Sequence, residues 1–262
     1  MSMSNRYLSE KYWLVLFSGL LITSGCDSIV IGPVVVDPDV RIVSFGDSTT
    51  DGPSEKNYIE FLPDLLNEPT NIFSNQGNGG ENTTDGLDRL RSLLDSAVFP
   101  NANILLYWQG GNDISDFIKD MDPLLLRSPD DDTFPFRDEL TSQLDTAQAN
   151  IESAIASAQA AGYEVFIATY FFIPDAIISC DALFFDFIIP GQARNANGYL
   201  RNLNDRIRLA AASRGATLVD IASLDDSIRA TQDNYEDCNH LSALGNEIAA
   251  QLFADMVGPA LP

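Results

Sequence analysis

From Arg41 onward the chain alternates between two apolar patterns. Short continuous runs rich in branched and aromatic residues recur at Arg41 to Phe45, Asn71 to Ser74, Ile104 to Trp108, Val165 to Tyr170 and Thr217 to Asp220. Runs of that length and composition predict strands. Between them, apolar residues fall three and four apart over Tyr58 to Leu66, Thr84 to Leu94, Asp138 to Ala161, Asn197 to Arg214 and Ser242 to Met256. That spacing predicts helices, and in the third of them Leu140, Leu144, Ala147, Ile151 and Ile155 make one stripe. Alternation of strand and helix implies a central, mostly parallel five-stranded sheet covered on both faces, a three-layer α/β/α sandwich. In such sheets ligands bind beyond the C-terminal ends of the strands.

Two connections are too long for turns. Ile114 to Arg137 holds Leu124-Leu125-Leu126, the run Asp130-Asp131-Asp132, Phe134 and Phe136; Phe171 to Arg194 holds Leu183-Phe184-Phe185 and Phe187-Ile188-Ile189. Each follows a predicted strand. As groups, these residues are expected to wall a site for an apolar acyl chain or a sugar face; taken singly, each serves to pin its loop to the core.

The first residues follow a different logic. Arg6 and Lys11 precede the apolar run Tyr12 to Ile22, which ends in Thr23-Ser24-Gly25-Cys26. This is a secretory signal pattern whose apolar core is short for a bilayer span. Its end resembles the bacterial lipoprotein signal. The resemblance implies loss of residues 1–25, a lipid on Cys26, and a membrane-anchored protein facing the periplasm or cell surface. An ordinary signal peptide, or an uncleaved anchor that contains a cysteine, is the alternative. Residues 26–40, interrupted by Pro33 and Pro38, read as a tether reaching no more than roughly 50 Å. The domain proper is expected over 41–262.

Composition then narrows the chemistry. A chain of 262 residues with 45% apolar and 20% charged content can bury a full core. Its 38 acidic and 15 basic residues give a net charge of −23, which repels phosphate backbones and argues against nucleic acid as a partner. There is one histidine, His240, and there are three cysteines, Cys26, Cys180 and Cys238. A metal site of several His or paired Cys cannot be assembled from these, and no metal or organic cofactor is expected.

Four polar segments fall at predicted strand ends or before the last helix: Gly46-Asp47-Ser48-Thr49, Asn75-Gln76-Gly77-Asn78-Gly79-Gly80, Gly110-Gly111-Asn112-Asp113 and Asp237-Cys238-Asn239-His240. A serine hydroxyl becomes a competent nucleophile when a neighbouring base takes its proton, and His240 is the one histidine that can do so for Ser48. Asp237, three residues earlier, can hold one ring nitrogen if the segment is a tight loop. Glycine lets backbone N–H groups approach an oxyanion, and an Asn amide adds a donor; Gly77 and Asn112 suit those tasks beside the N–H of Ser48. Asp47 and Asp113 read as supports of their loops. Taken singly, each block is an ordinary turn. Taken in order, the blocks resemble the SGNH hydrolase superfamily, also called GDSL esterases and lipases, over roughly residues 41–256.

The resemblance implies a flavodoxin-like sandwich, a triad of Ser48, Asp237 and His240, and an oxyanion hole of Ser48, Gly77 and Asn112. Thr49 and Leu241 depart from the family's usual Leu and Pro. The expected activity is hydrolysis of a neutral carboxylic ester through an acyl-serine, as in a lysophospholipase, arylesterase or thioesterase. An O-deacetylase acting on polysaccharide is the rival within the class, and a non-catalytic binding lipoprotein is the rival outside it. With Cys26 lipidated, Cys180 and Cys238 remain in an oxidising compartment. A bridge between them would clamp a substrate loop to the histidine loop, and two buried free thiols are the alternative.

Overall fold

The computed structural model describes residues 35–175 and 188–261. Its five strands are β1 (Ile42–Gly46), β2 (Phe73–Gly77), β3 (Ile104–Trp108), β4 (Glu164–Ala168) and β5 (Thr217–Val219). All pair in parallel in the order β2-β1-β3-β4-β5. The helices are α1 (Ser48–Asp51), α2 (Leu62–Leu66), α3 (Thr83–Ser96), α4 (Gly111–Met121), α5 (Arg137–Ala160), α6 (Pro190–Arg214), α7 (Asp225–Ile228) and α8 (Ala243–Val257). One layer packs α3, α5 and α6 together, and the other packs α2 against α8. Every side chain of β1 and β3 is buried, as a parallel sheet covered on both faces requires.

Chain order reverses at β1, whose successor lies on one side while β3 lies on the other. Register places Gly46 opposite both Gly77 and Trp108, so β1, β2 and β3 end level with one another. That edge, at the switch point, is where an open α/β sheet binds ligands. Below it, Trp108 meets Tyr58 edge-on at 5.3 Å between ring centroids, and Tyr58 stacks on Phe253 of α8 at 4.6 Å. The stripe expected on α5 is buried throughout and gains Ala154 and Ala158.

Three differences from the sequence reading have physical causes. Residues 114–121, read as the start of a long connection, belong to α4, which begins at Gly111. Ile114, Phe117 and Ile118 are buried on one face of it, and Met121 completes the helical spacing. Helix α6 starts seven residues before the expected Asn197, at Pro190, whose fixed φ suits the first turn. Its asparagines are poor helix formers, but Asn197 exchanges two hydrogen bonds with the backbone of Ile173 (2.7 and 2.9 Å) and Asn204 two with Tyr170 (2.7 and 2.8 Å). Those tertiary bonds outweigh propensity. Strand β2 runs through Gly77 instead of stopping at Ser74, because Asn75, Gln76 and Gly77 pair with Ser44, Phe45 and Gly46.

Residues 37–40, assigned to the tether from sequence, are docked. The N–H of Asp37 donates to the Val98 carbonyl at 2.8 Å, Asn101 donates to the Pro38 carbonyl at 2.8 Å, and Val40 is buried. The expected signal segment, Cys26, Cys180, and the cluster Leu183-Phe184-Phe185 with Phe187 lie outside the described residues. Among the described residues no helix is long and apolar enough to cross a membrane.

Candidate active site

Ser48 is the first residue of α1, directly beyond β1. Asp47 caps that helix, its Oδ1 accepting the N–H and hydroxyl of Thr49 at 3.0 and 2.8 Å. Its other oxygen accepts the Tyr170 hydroxyl at 2.5 Å. Burial pushes the Asp47 carboxyl up, against the hydrogen bonds from Tyr170 and Thr49 and the charge of His240. Burial and the charge of Asp47 likewise push the Tyr170 phenol up, which keeps it a donor. The Ser48 turn is thereby tied to the end of β4, which Asn204 holds in turn.

Residues 235–241 form a tight loop closed by an antiparallel bridge between Tyr235 and Leu241, with the Glu236 N–H on the His240 carbonyl at 3.0 Å. Within it Asp237 Oδ1 accepts the N–H groups of Asn239 and His240 at 2.6 and 2.8 Å. Oδ2 lies 2.8 Å from His240 Nδ1, and His240 Nε2 lies 2.9 Å from Ser48 Oγ. Burial works to raise the Asp237 carboxyl, but the hydrogen bond and charge of His240, with the two N–H donors, bring it below the usual range. An ionised Asp237 accepts from Nδ1–H, which leaves the Nε2 lone pair facing the serine hydroxyl. The structure thus brings together Ser48, from the turn after β1, and Asp237 and His240, which share one loop.

Asn112, at the start of α4, is buried and donates from Nδ2 to the Glu81 carbonyl at 3.0 Å. It lines the same cleft as Ser48 and His240. Gly77 does not occupy the place expected for it. Its N–H is spent on Asn75 Oδ1 at 2.8 Å, and a Cβ on it would sit 2.1 Å from the Asp51 nitrogen, so it is the close-packing point between β2 and α1. The turn comes two residues later. A Cβ on Gly79 would lie 3.9 Å from that of Ser48, Gly80 has φ +80°, and neither glycine N–H has a partner among the described residues. Reading β2 as ending at Ser74 displaced the expected turn onto Gly77.

That turn is braced by residues the sequence reading missed. Arg89 on α3 grips the Glu81 carboxylate at 2.6 and 2.7 Å and donates to the Gln76 carbonyl at 2.9 Å. Asn78 and Gln109 also donate to the Glu81 carboxylate, at 3.1 and 3.0 Å. Burial works to raise Glu81, and these bonds, led by Arg89, hold it low. Nothing in the local spacing of Glu81 and Arg89 marks the pair; the pairing depends on α3 folding back along β2.

Asp113 supports α3, accepting the N–H and hydroxyl of Thr83 at 2.8 and 2.7 Å. Burial pushes its carboxyl up to about 6, beyond what the Thr83 bonds restore, and the charge of Asp47 adds to the rise. The folded state therefore holds this proton more tightly than the unfolded chain does. The stability it confers is present below about pH 4 and is lost as pH rises through about 6, a change of about 3 kcal/mol. Asp113→Asn removes that titration. Urea unfolding at about pH 4 and pH 7 is expected to show the wild type losing about 2 kcal/mol relative to the variant between them. An equal difference at both values contradicts the assignment.

The cleft, about 780 Å³ counting its open mouth, is walled by Ile114, Ile118, Leu125, Ile173 and Leu200, with Ser48 and His240 at one side. Cys238 also lines it, is buried, and is disulfide-bonded. Cys180, its expected partner, lies outside the described residues.

A serine, histidine and aspartate linked in this order at the switch point of a parallel sheet make the layout of an ester-bond hydrolase. The chain belongs to the GDSL-like lipase/acylhydrolase family, whose model matches residues 44–248. No curated protein matches it. Among solved structures it is similar to a GDSL-like lipase from Bacteroides thetaiotaomicron, with 17% identity, TM-score 0.56, and 86% of this chain and 91% of that one covered. It is similar also to Est24, a carbohydrate acetylesterase from Sinorhizobium meliloti, with 14% identity, TM-score 0.58 and 85% and 100% covered. A third is the psychrotrophic esterase EstA from Pseudoalteromonas sp., with 16% identity, TM-score 0.55 and 84% and 97% covered. At these identities the likeness is one of fold.

Proposed function

We propose that the chain hydrolyses neutral carboxylic esters with apolar acyl groups through an acyl-Ser48 intermediate. The observation that carries this reading is the unbroken hydrogen-bond chain Asp237–His240–Ser48 opening into a cleft walled by aliphatic side chains. Ser48 Oγ attacks the acyl carbonyl as its proton passes to His240 Nε2. The alcohol leaves with that proton, and water, activated by the same nitrogen, releases the acid and restores the serine. The oxyanion is held by the N–H of Ser48, the Asn112 amide and the N–H groups of the Gly79-Gly80 turn, the role expected of Gly77 passing to that turn.

Export and lipidation at Cys26, which rest on residues 1–26, belong to the same proposal. So does a Cys180–Cys238 bridge, supported by the bonded state of Cys238.

The aliphatic wall favours acyl chains over acetyl. With p-nitrophenyl esters of rising length, kcat/KM is expected to increase from C2 to C6 or beyond, by up to about fourfold for each methylene that reaches the wall. A maximum at acetyl would favour a deacetylase, and absence of turnover on every ester would favour a binding protein; either result overturns the reading.

A further inference from the structure

The backbone that walls the cleft also turns apolar side chains outward. Leu125 lines the cleft and is 4% exposed, but its neighbours Leu124 and Leu126 are 57% and 66% exposed. Ile188 lines the cleft at 1%, and the next residue, Ile189, is 45% exposed. The two stretches are bonded into one rim. The Ile189 N–H donates to Gln192 Oε1 at 3.1 Å, Gln192 Nε2 donates to the Leu124 carbonyl at 2.9 Å, and Asn195 Nδ2 donates to the Leu125 carbonyl at 2.7 Å. A single exposed leucine is unremarkable; three large aliphatic side chains on the rim of an apolar cleft mark an interaction surface.

Two guanidinium groups also sit on this rim, one of them beside the Asp122 carboxylate, which accepts the Leu126 and Arg127 N–H groups at 3.1 and 3.0 Å. In a chain of net charge −23, Arg127 lies two residues past Leu125 and Arg194 adjoins Asn195. Both are exposed, and neither has a carboxylate partner among the described residues, which is true also of Arg41 and Arg137, whereas Arg89, Arg201, Arg206, Arg208, Arg214 and Arg229 are each ion-paired. Guanidinium groups beside aliphatic side chains match a phospholipid interface, phosphate above and acyl chain below. The overall acidity opposes a net anionic surface, which leaves a zwitterionic one.

We infer that Leu124, Leu126, Ile189, Arg127 and Arg194 form a docking face for a zwitterionic phospholipid surface. Through it an ester passes along an apolar path into the cleft. This rests on the ester-hydrolase reading for its purpose but not for its binding.

The test uses the full chain, with p-nitrophenyl butanoate in solution and a long-chain fluorogenic ester carried in phosphatidylcholine vesicles. The pair Leu124→Ser and Leu126→Ser is expected to lower the vesicle rate about tenfold while the soluble rate stays within about twofold. Arg127→Gln with Arg194→Gln is expected to lower the vesicle rate severalfold in the same selective way. Binding is read without turnover by hydrogen exchange, with phosphatidylcholine vesicles expected to protect residues 122–127 and 189–195. Unchanged exchange there, or vesicle and soluble rates that fall together, overturns the docking face. Protection in a chain inert on both esters upholds the face and strikes the catalytic reading instead.

Discussion

Ser48→Ala is expected to lower kcat/KM for soluble esters by about 10⁴-fold or more, with the melting temperature nearly unchanged. The Ser48 hydroxyl makes one side-chain hydrogen bond, to His240 Nε2, so its loss leaves the caps, the loop bridge and the core intact. Residual turnover comes from binding and the oxyanion donors alone. Thermal unfolding together with initial rates on p-nitrophenyl butanoate checks both halves. Full residual activity in a folded variant removes Ser48 from the mechanism.

Asp237→Asn is expected to lower kcat by about 10⁴-fold near neutral pH, with KM little changed. The reason lies in the loop. The backbone N–H groups of Asn239 and His240 both donate to Oδ1, so the amide oxygen of an asparagine takes that position. Its NH₂ then faces His240 Nδ1, which becomes an acceptor, and the ring proton moves to Nε2. A ring protonated on Nε2 cannot receive the proton of Ser48. Steady-state kinetics settle the point, and a fall confined to KM contradicts it.

The legible parts of the molecule were those in which one local pattern had one physical meaning. Strand β3 matched its expected limits because Ile104 to Trp108 is buried on both faces and reads as an unbroken apolar run. Helix α5 was legible from its stripe. His240 was legible because no other imidazole exists to serve Ser48. The errors arose where tertiary pairing overrode local chemistry. Asn75-Gln76-Gly77 has turn composition, yet the neighbouring β1 recruits it into the sheet, and that shift moves the turn to Gly79-Gly80. Helix α4 was obscured by the Gly110-Gly111 start, although Ile114, Phe117, Ile118 and Met121 carried its period. The Tyr170–Asp47 bond joins residues far apart in the chain that only the β4 and β1 ends bring together, and no window of sequence contains it.

These features support the proposal that His240 activates Ser48 beside an apolar cleft. The most direct measurement is reaction of the full chain with a fluorophosphonate, followed by intact mass and peptide mapping. One phosphonyl group per chain on Ser48, its formation slowed by a long-chain ester and absent in Ser48→Ala, is the predicted result. No adduct, or an adduct mapped to any other residue, contradicts the account.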